Sequence, residues 1–279
     1  MKHLPKGVLI LLLLALPRPL EAQAERVAGR GGAAPKILLV VYEQTKPGSA
    51  AARRKLGLDA ADAYERYDIP VHFIAMEAVT GAAGTLWLDP FDSFDAAEKA
   101  SAAITDANSR HAELVRTQQM IDELVTRQTT LTALRRDDLG YHADAVDLSK
   151  ARYLRILVAR VAPGHEAAFT EETKALAASY EKADSKFPWV VYQVDLGMER
   201  PTYIFLVPLR SMKDLDDLLA SSSSRQRGAS EAERQRTQQL MREAYLSLES
   251  NLYAITPELS HVSKEFAAAD PGFWKPKRK

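Results

Sequence analysis

Tyr153-Leu154-Arg155-Ile156-Leu157-Val158-Ala159-Arg160-Val161, followed by Ala162-Pro163-Gly164-His165, decides the fold, because the chain writes it twice. Lys36 to Tyr42 is a second apolar run, and it too leads into a Pro-Gly pair, Lys46-Pro47-Gly48-Ser49, 116 positions earlier. Leu88-Asp89-Pro90-Phe91-Asp92-Ser93 then matches Leu206-Val207-Pro208-Leu209-Arg210-Ser211 at an offset of 118. Arg116-Thr117-Gln118-Gln119-Met120 matches Arg236-Thr237-Gln238-Gln239-Leu240 at an offset of 120. Matches that keep their order while the offset drifts by a few residues are the mark of duplicated domains with small loop insertions.

Each repeat opens with a strand, Ile37 to Glu43 or Tyr153 to Val161, rich in β-branched and aliphatic residues and ended by Pro-Gly. A helix follows, and in the second copy Glu166 to Lys182 places Phe169, Leu176, Ala177 and Tyr180 at helical spacing. The next strands are Val71 to Ala78 and Trp189 to Leu196. Short turns with Gly81 and Gly84, or Gly197 and Pro201, join them to Thr85 to Leu88 and Tyr203 to Val207 as hairpins. Ser93 and Ser211 stand at the N-cap of the next helix, and Ser211-Met212-Lys213-Asp214 is close to a capping box.

A long polar helix comes next. Met120, Ile121, Leu124, Val125 in one copy and Leu240, Met241, Ala244, Tyr245, Leu248 in the other give it one buried face. Ser221 to Ser230 reads as a low-complexity loop or helix break, and Thr132 to Tyr141 and Leu252 to His261 read as closing extended segments. Strand, helix, strand, strand, helix, strand is the split βαβ, ferredoxin-like unit, whose sheet has one bare face that a second copy can cover.

The Pro47-Gly48 and Pro163-Gly164 strand ends, the Leu88-x-Pro90 and Leu206-x-Pro208 hairpins, the serine-capped helices and the terminal Leu139-Gly140-Tyr141 and Leu259-Ser260-His261 carry a resemblance. On these marks the chain resembles the dimeric α/β-barrel superfamily, which includes antibiotic-biosynthesis monooxygenases, haem-degrading monooxygenases and the NIPSNAP proteins. The resemblance implies an α+β protein: two tandem ferredoxin-like repeats packed sheet to sheet as an intramolecular α/β barrel, with long helices outside. The marks belong to a fold and specify no catalysis.

The ends add a compartment. Lys2 and Lys6 precede the apolar run Val8 to Leu16, and Ala22-Gln23-Ala24 supplies a small-x-small cleavage pattern, so 1–24 reads as a signal peptide. The run is shorter than the roughly 20 residues of a spanning helix, and Pro17 and Pro19 end it. The expected divisions are a flexible leader (25–35), a first repeat (36–150), a second repeat (151–270) and a basic tail (271–279). The expected location is the periplasm or the extracellular space. The 279 residues contain no cysteine, which excludes disulfides, a thiol nucleophile and thiolate metal sites. Lysine plus arginine equals aspartate plus glutamate at 37 each, so no basic footprint for nucleic acid appears. The partners expected are at most a small-molecule ligand, with the chain a monomeric pseudo-dimer or a weak homo-oligomer.

Catalytic motifs fail on inspection. Gly29-Arg30-Gly31-Gly32-Ala33-Ala34 fits a dinucleotide pattern but precedes the first strand. His165-Glu166-Ala167-Ala168-Phe169 has phenylalanine where a zinc helix needs its second histidine, so no metal site is read. Ser179-x-x-Lys182 lacks its partner motifs. What remains is the sheet. Phe73, Ala75 and Glu77 alternate with His72, Ile74 and Met76, and their counterparts are Val191, Gln193 and Asp195 against Val190, Tyr192 and Val194. Glu77 and Asp195 hold equivalent places, either lining a cavity or running into solvent at the hairpin ends.

The candidate pocket is therefore His72, Glu77, Trp87, Tyr192, Gln193, Asp195 and Tyr203, an aromatic and polar set of the kind small-molecule sites use. The same aromatic spacing also serves as plain core. His142 and His261 are expected to be exposed. The first functional expectation is binding of a small apolar or aromatic molecule in a barrel cavity. The resemblance implies an alternative, a monooxygenase-like enzyme that is cofactor-independent or uses haem, for which His72 is the only strand-borne ligand candidate. A third reading is a non-catalytic structural or interaction module, with the polar helices around Arg116 and Arg236 as its surface.

Overall fold

The computed structural model describes residues 31–274. The expected signal peptide, the first six residues of the leader and the basic Lys275, Lys277, Arg278 and Lys279 lie outside the described residues. Within the leader, Ala34 is buried, so this stretch is packed where it approaches the first strand.

The first half runs β1 (Ile37–Thr45), α1 (Ala50–Arg66), β2 (Ile74–Ala78), β3 (Gly84–Phe91), α2 (Phe94–Arg110), α3 (Ala112–Asp122) and β4 (Val125–Arg135). The second runs β5 (Tyr153–Val161), α4 (Glu166–Lys182), β6 (Val190–Leu196), β7 (Thr202–Leu209), α5 (Met212–Gly228), α6 (Glu231–Glu243) and β8 (Tyr245–Ile255). Two short helices follow, α7 (Lys264–Ala268) and α8 (Pro271–Trp274). The strands close one antiparallel barrel in the order β1-β3-β2-β8-β5-β7-β6-β4. Its two seams between halves, β2 with β8 and β6 with β4, are short ladders of three and four residue pairs.

Local chemistry explains the corners. Pro47-Gly48 and Pro163-Gly164 each form a tight turn, with Gly48 at φ 78° and Gly164 at φ 89°, a region only glycine enters without strain. The amides of Ser49 and His165 donate back to the carbonyls of Lys46 and Ala162, both at 3.0 Å. Ser93 Oγ accepts from the Ala96 amide at 3.1 Å, and Ser211 Oγ from the Asp214 amide at 3.3 Å, so both expected caps form.

The helical stripes read from the sequence are corrected. α3 ends at Asp122 and α6 at Glu243, and the residues assigned to their buried faces from Val125 and Tyr245 onward begin β4 and β8. Ile121 is buried, whereas Met120, Met241 and Leu248 are exposed. The closing strands therefore start seven residues earlier than read in each half, and the β-branched run Val125-Thr126 through Thr129-Thr130 is the reason in the first. The serine-rich stretch continues α5 as far as Gly228, and the break falls at Ala229 and Ser230, where Ser230 and Glu233 make a capping box for α6.

Strand alternation sends one set of side chains inward and the other under the helices. Leu38, Met76, Leu88, Ala133, Leu154, Tyr192 and Leu206 join one apolar cluster inside the barrel. Each large aliphatic side chain enclosed in this way contributes about 1.5–3 kcal/mol. This interior also takes in Ala34, Phe266 and Trp274, which close it from the chain ends. Trp274 Nε1 donates to Ser149 O at 2.6 Å, Arg152 pairs with Asp270, and the Leu148 amide donates to Gly32 O at 2.6 Å. Part of the segment read as a basic tail, Pro271–Trp274, is thus a packed helix.

Candidate functional site

The paired strands form a grid, so the same places can be compared in the two halves. On the outer face Leu39 pairs with both Asp89 and Thr132; in the second half Arg155 pairs with both Val207 and Leu252. The row extends through Phe73, bridged to His261, and through Trp189, bridged to Tyr141. One step along, Val41 pairs with Trp87 and Leu157 with Phe205; one further, Glu43 pairs with Thr85 and Ala159 with Tyr203.

In the second half Trp189, Phe205 and Val207 of this layer are buried, while Arg155 and Leu157 are partly exposed. Phe169 of α4 stacks on Tyr203 at 4.1 Å between ring centres, Trp189 lies 5.5 Å from Phe205 and 5.9 Å from Tyr180, and Val207 is buried among them. In the first half the same layer is polar. Arg53 takes the place of Phe169 and is tied through Nε (3.1 Å) and Nη2 to Glu43, both groups being buried. The Arg53 guanidinium lies 5.5 Å from the centre of the Trp87 ring. Tyr64 of α1 meets Phe73 edge-on at 5.6 Å and His261 at 6.0 Å, and Phe73 meets Trp87 edge-on at 5.5 Å.

Asp89 stands in the middle of this aromatic floor. Among the described residues no group donates a hydrogen bond to its carboxyl. Part of the residue reaches solvent, yet protein surrounds the carboxyl closely enough that burial pushes it up to about 7. The Tyr64 hydroxyl is raised too, first by burial and then by the charge of Asp89. Leu39, Val41, Phe73, Trp87 and Asp89 are all partly exposed, so α1 and α2 do not seal this part of β1 and β3. α2 presents only alanines here, with Ala100 against Ile37 and Phe91 and with Ala96 and Ala97 beside them. Thr132 Oγ1, in the same row, is buried without a partner.

The structure does not bring the seven sequence-derived residues together. Tyr192 points into the barrel, fully buried, and its hydroxyl donates to Pro35 O at 2.8 Å. Tyr203 and Gln193 lie on the outer face of the second half, and Arg136 Nη1 donates to Gln193 Oε1 at 2.8 Å. Asp195 pairs with Arg200 at 2.9 Å. Glu77 pairs with Arg54 and accepts from Thr256 Oγ1 at 3.2 Å. A single pocket shared by Tyr192, Tyr203 and Trp87 is therefore corrected: strand alternation puts the first on the far side of the sheet, and the halves separate the other two. Only Trp87 belongs to the partly exposed layer around Asp89. The interior that was to hold the cavity is filled by packed side chains.

His72 also faces the inside. Its Nδ1 accepts the Ser263 amide at 3.1 Å, which places the ring proton on Nε2, and that nitrogen is enclosed without a partner. Phe266 covers the ring edge-on at 5.0 Å. Burial, then the charge of His261, lowers His72 to about 4. A haem held by His72 does not fit this arrangement: the only lone pair available is already used, and the ring is closed in. His261, expected to be exposed, is half-buried, with Nε2 3.1 Å from Ile69 O, and burial lowers it.

Sequence reasoning missed Asp89, Tyr64, Arg53, Glu43 and Phe73 as a group. One signal was present: at the offset of 118 Asp89 faces Val207 within an otherwise shared Leu-x-Pro pattern.

No protein-family model and no curated protein matches the sequence. Among solved structures, an anthrone oxidase-like protein is similar over 79% of this chain and 91% of its own, at 15% identity and TM-score 0.49. A variant of chlorite dismutase from Candidatus Nitrospira defluvii is similar over 84% and 96%, at 9% identity and TM-score 0.49. A candidate monooxygenase from Lactobacillus acidophilus is similar over 79% and 94%, at 9% identity and TM-score 0.46. The barrel itself is defined by this chain's own strand pairing.

Proposed function

We propose that the protein is an exported, monomeric binding protein built from two tandem ferredoxin-like repeats, and that its first repeat holds a small, largely apolar or aromatic molecule. The site is the crevice under α1, floored by Phe73 and Trp87 and flanked by Leu39 and Val41. One observation carries the reading: Asp89 is a partly exposed residue whose carboxyl has no hydrogen-bond donor among the described residues, at a place the other half fills with a packed valine. An unpaired acid in such surroundings destabilises the fold, so a role outside the fold accounts for its presence. Trp87 reports on binding, because Trp189 and Trp274 are buried elsewhere. Titration with 1-naphthol should give saturable quenching that Trp87→Phe removes, together with a rise in melting temperature. Quenching that persists in Trp87→Phe, or a melting temperature that stays flat, overturns the proposal.

The enzyme reading is favoured by the same carboxyl, because an acid that titrates near 7 suits proton abstraction at neutral pH. Its cofactor-independent form needs only Asp89 as the proton acceptor. Its haem-using form requires a ligand other than His72, so a Soret shift with added haemin that survives His72→Ala would support it, and loss of the shift in that variant would count against the packing described above.

A further inference from the structure

We propose that the crevice of the first half takes a small organic cation, an alkylammonium with an aromatic or aliphatic body: the ammonium sits on the Asp89 carboxylate and the body lies against Trp87 and Phe73. The inference deepens the binding reading above and rests on it.

Three features point to a cation rather than a neutral or anionic guest. Among the described residues the carboxyl of Asp89 has no hydrogen-bond donor, so a ligand must bring hydrogen bonds and, for the ionised form, a positive charge. The Arg53 guanidinium, 5.5 Å from the centre of the Trp87 ring, is held by Glu43 through two nitrogens and makes no hydrogen bond to Asp89. The walls are aromatic, with Phe73 set edge-to-face with Trp87 (79°) and with Tyr64 (85°), and Trp87 already takes a guanidinium at 5.5 Å, so the lining is of a kind that favours cations. The groups facing Asp89 from each packed element add no competing positive charge at neutral pH. α1 brings Tyr64, the segment after β8 brings a His261 that burial keeps neutral, α2 brings alanines, and the Arg53–Glu43 pair is self-compensated. The second half lacks the acid, with Val207 in its place and Arg155 beside it, and takes no cation.

The test uses the full chain and two probes of equal shape, 2-phenylethylammonium and neutral 2-phenylethanol, in calorimetric titrations at pH 6 and pH 8. The ammonium should bind at least about tenfold more tightly than the alcohol at pH 8. Its affinity should fall about tenfold at pH 6, where Asp89 is mostly protonated and binding must expel that proton. Asp89→Asn should abolish both the preference and the pH dependence. Asp89→Val, which copies the second half, should do the same while remaining folded by its melting curve. Equal affinities for the two probes, unaltered in Asp89→Asn, would overturn the cation inference and leave the apolar crevice standing. No heat and no Trp87 quenching with either probe would overturn both.

Discussion

The two sheet–helix layers share one grid and differ in what fills it. Where the second half stacks Phe169 on Tyr203 over Ala159, the first has Arg53 and Glu43 around Thr85. Where the second buries Val207, the first has Asp89, whose carboxyl finds no hydrogen-bond donor among the described residues. The barrel needs a covered sheet but does not require a buried ion pair in the cover, since the second half packs aromatic side chains at those places. Polar residues in the first half therefore cost stability that the fold does not demand, which is the physical ground for placing the site there.

Transplanting one layer into the other tests this most severely. Glu43→Ala alone should destabilise by about 3–5 kcal/mol, because it strands a buried guanidinium. Adding Arg53→Phe and Thr85→Tyr, which completes the second half's arrangement, should recover most of that loss in denaturant titrations. A triple variant no more stable than the single one would break the equivalence of the layers.

Asp89→Val comes next. The Asp89 pKa is raised in the folded chain to about 7, so its protonated form is favoured there and the folded state loses stability as pH rises from about 4 to 7. The variant should gain on the order of 3 kcal/mol at pH 8 and almost nothing near pH 4. An equal gain at both pH values would mean that simple packing, not the unpaired acid, sets the difference.

The inward-facing His72 provides a contrast of opposite sign. Its folded pKa is lowered to about 4, so its contribution is intact above about 6.5 and is lost as pH falls toward 4. In Asp89→Val, the opposing term being gone, melting temperatures should drop steadily from pH 6.5 to pH 4.5, and His72→Phe in that background should flatten the slope. The smallest effect is Tyr192→Phe, which removes one buried hydrogen bond to Pro35 and should cost about 1 kcal/mol with no effect on ligand titrations. A change in 1-naphthol binding in that variant would reconnect the barrel interior with the crevice.

Much of this architecture could be read from residues alone. Tyr153–Val161 and Glu166–Lys182 fall where alternation and helical spacing put them, and Ser93 and Ser211 cap as their positions require. The helix ends near Asp122 and Glu243 were not legible, because the apolar residues that follow mimic helical spacing across a helix–strand junction. The candidate site was less accessible still. Gathering Trp87, Tyr192 and Tyr203 treated strand residues as neighbours without knowing which face each occupied, and a one-residue step on a strand reverses the face. Asp89 falls outside the strand read as Thr85 to Leu88, whereas β3 continues to Phe91 and carries the acid beneath α1.

Trp274, Arg152 and the Gly32 carbonyl give the barrel a property that its sheet alone does not provide. The connector between the halves is gripped by both ends of the described chain, from Gly32 on one side and from Asp270 and Trp274 on the other. Once folded, the polypeptide link between the two halves is mechanically redundant: a nick near Asp144 would yield two pieces that stay docked through seams and clasp. A cut after Asp270 would instead uncork the inner core while leaving every strand covalently continuous.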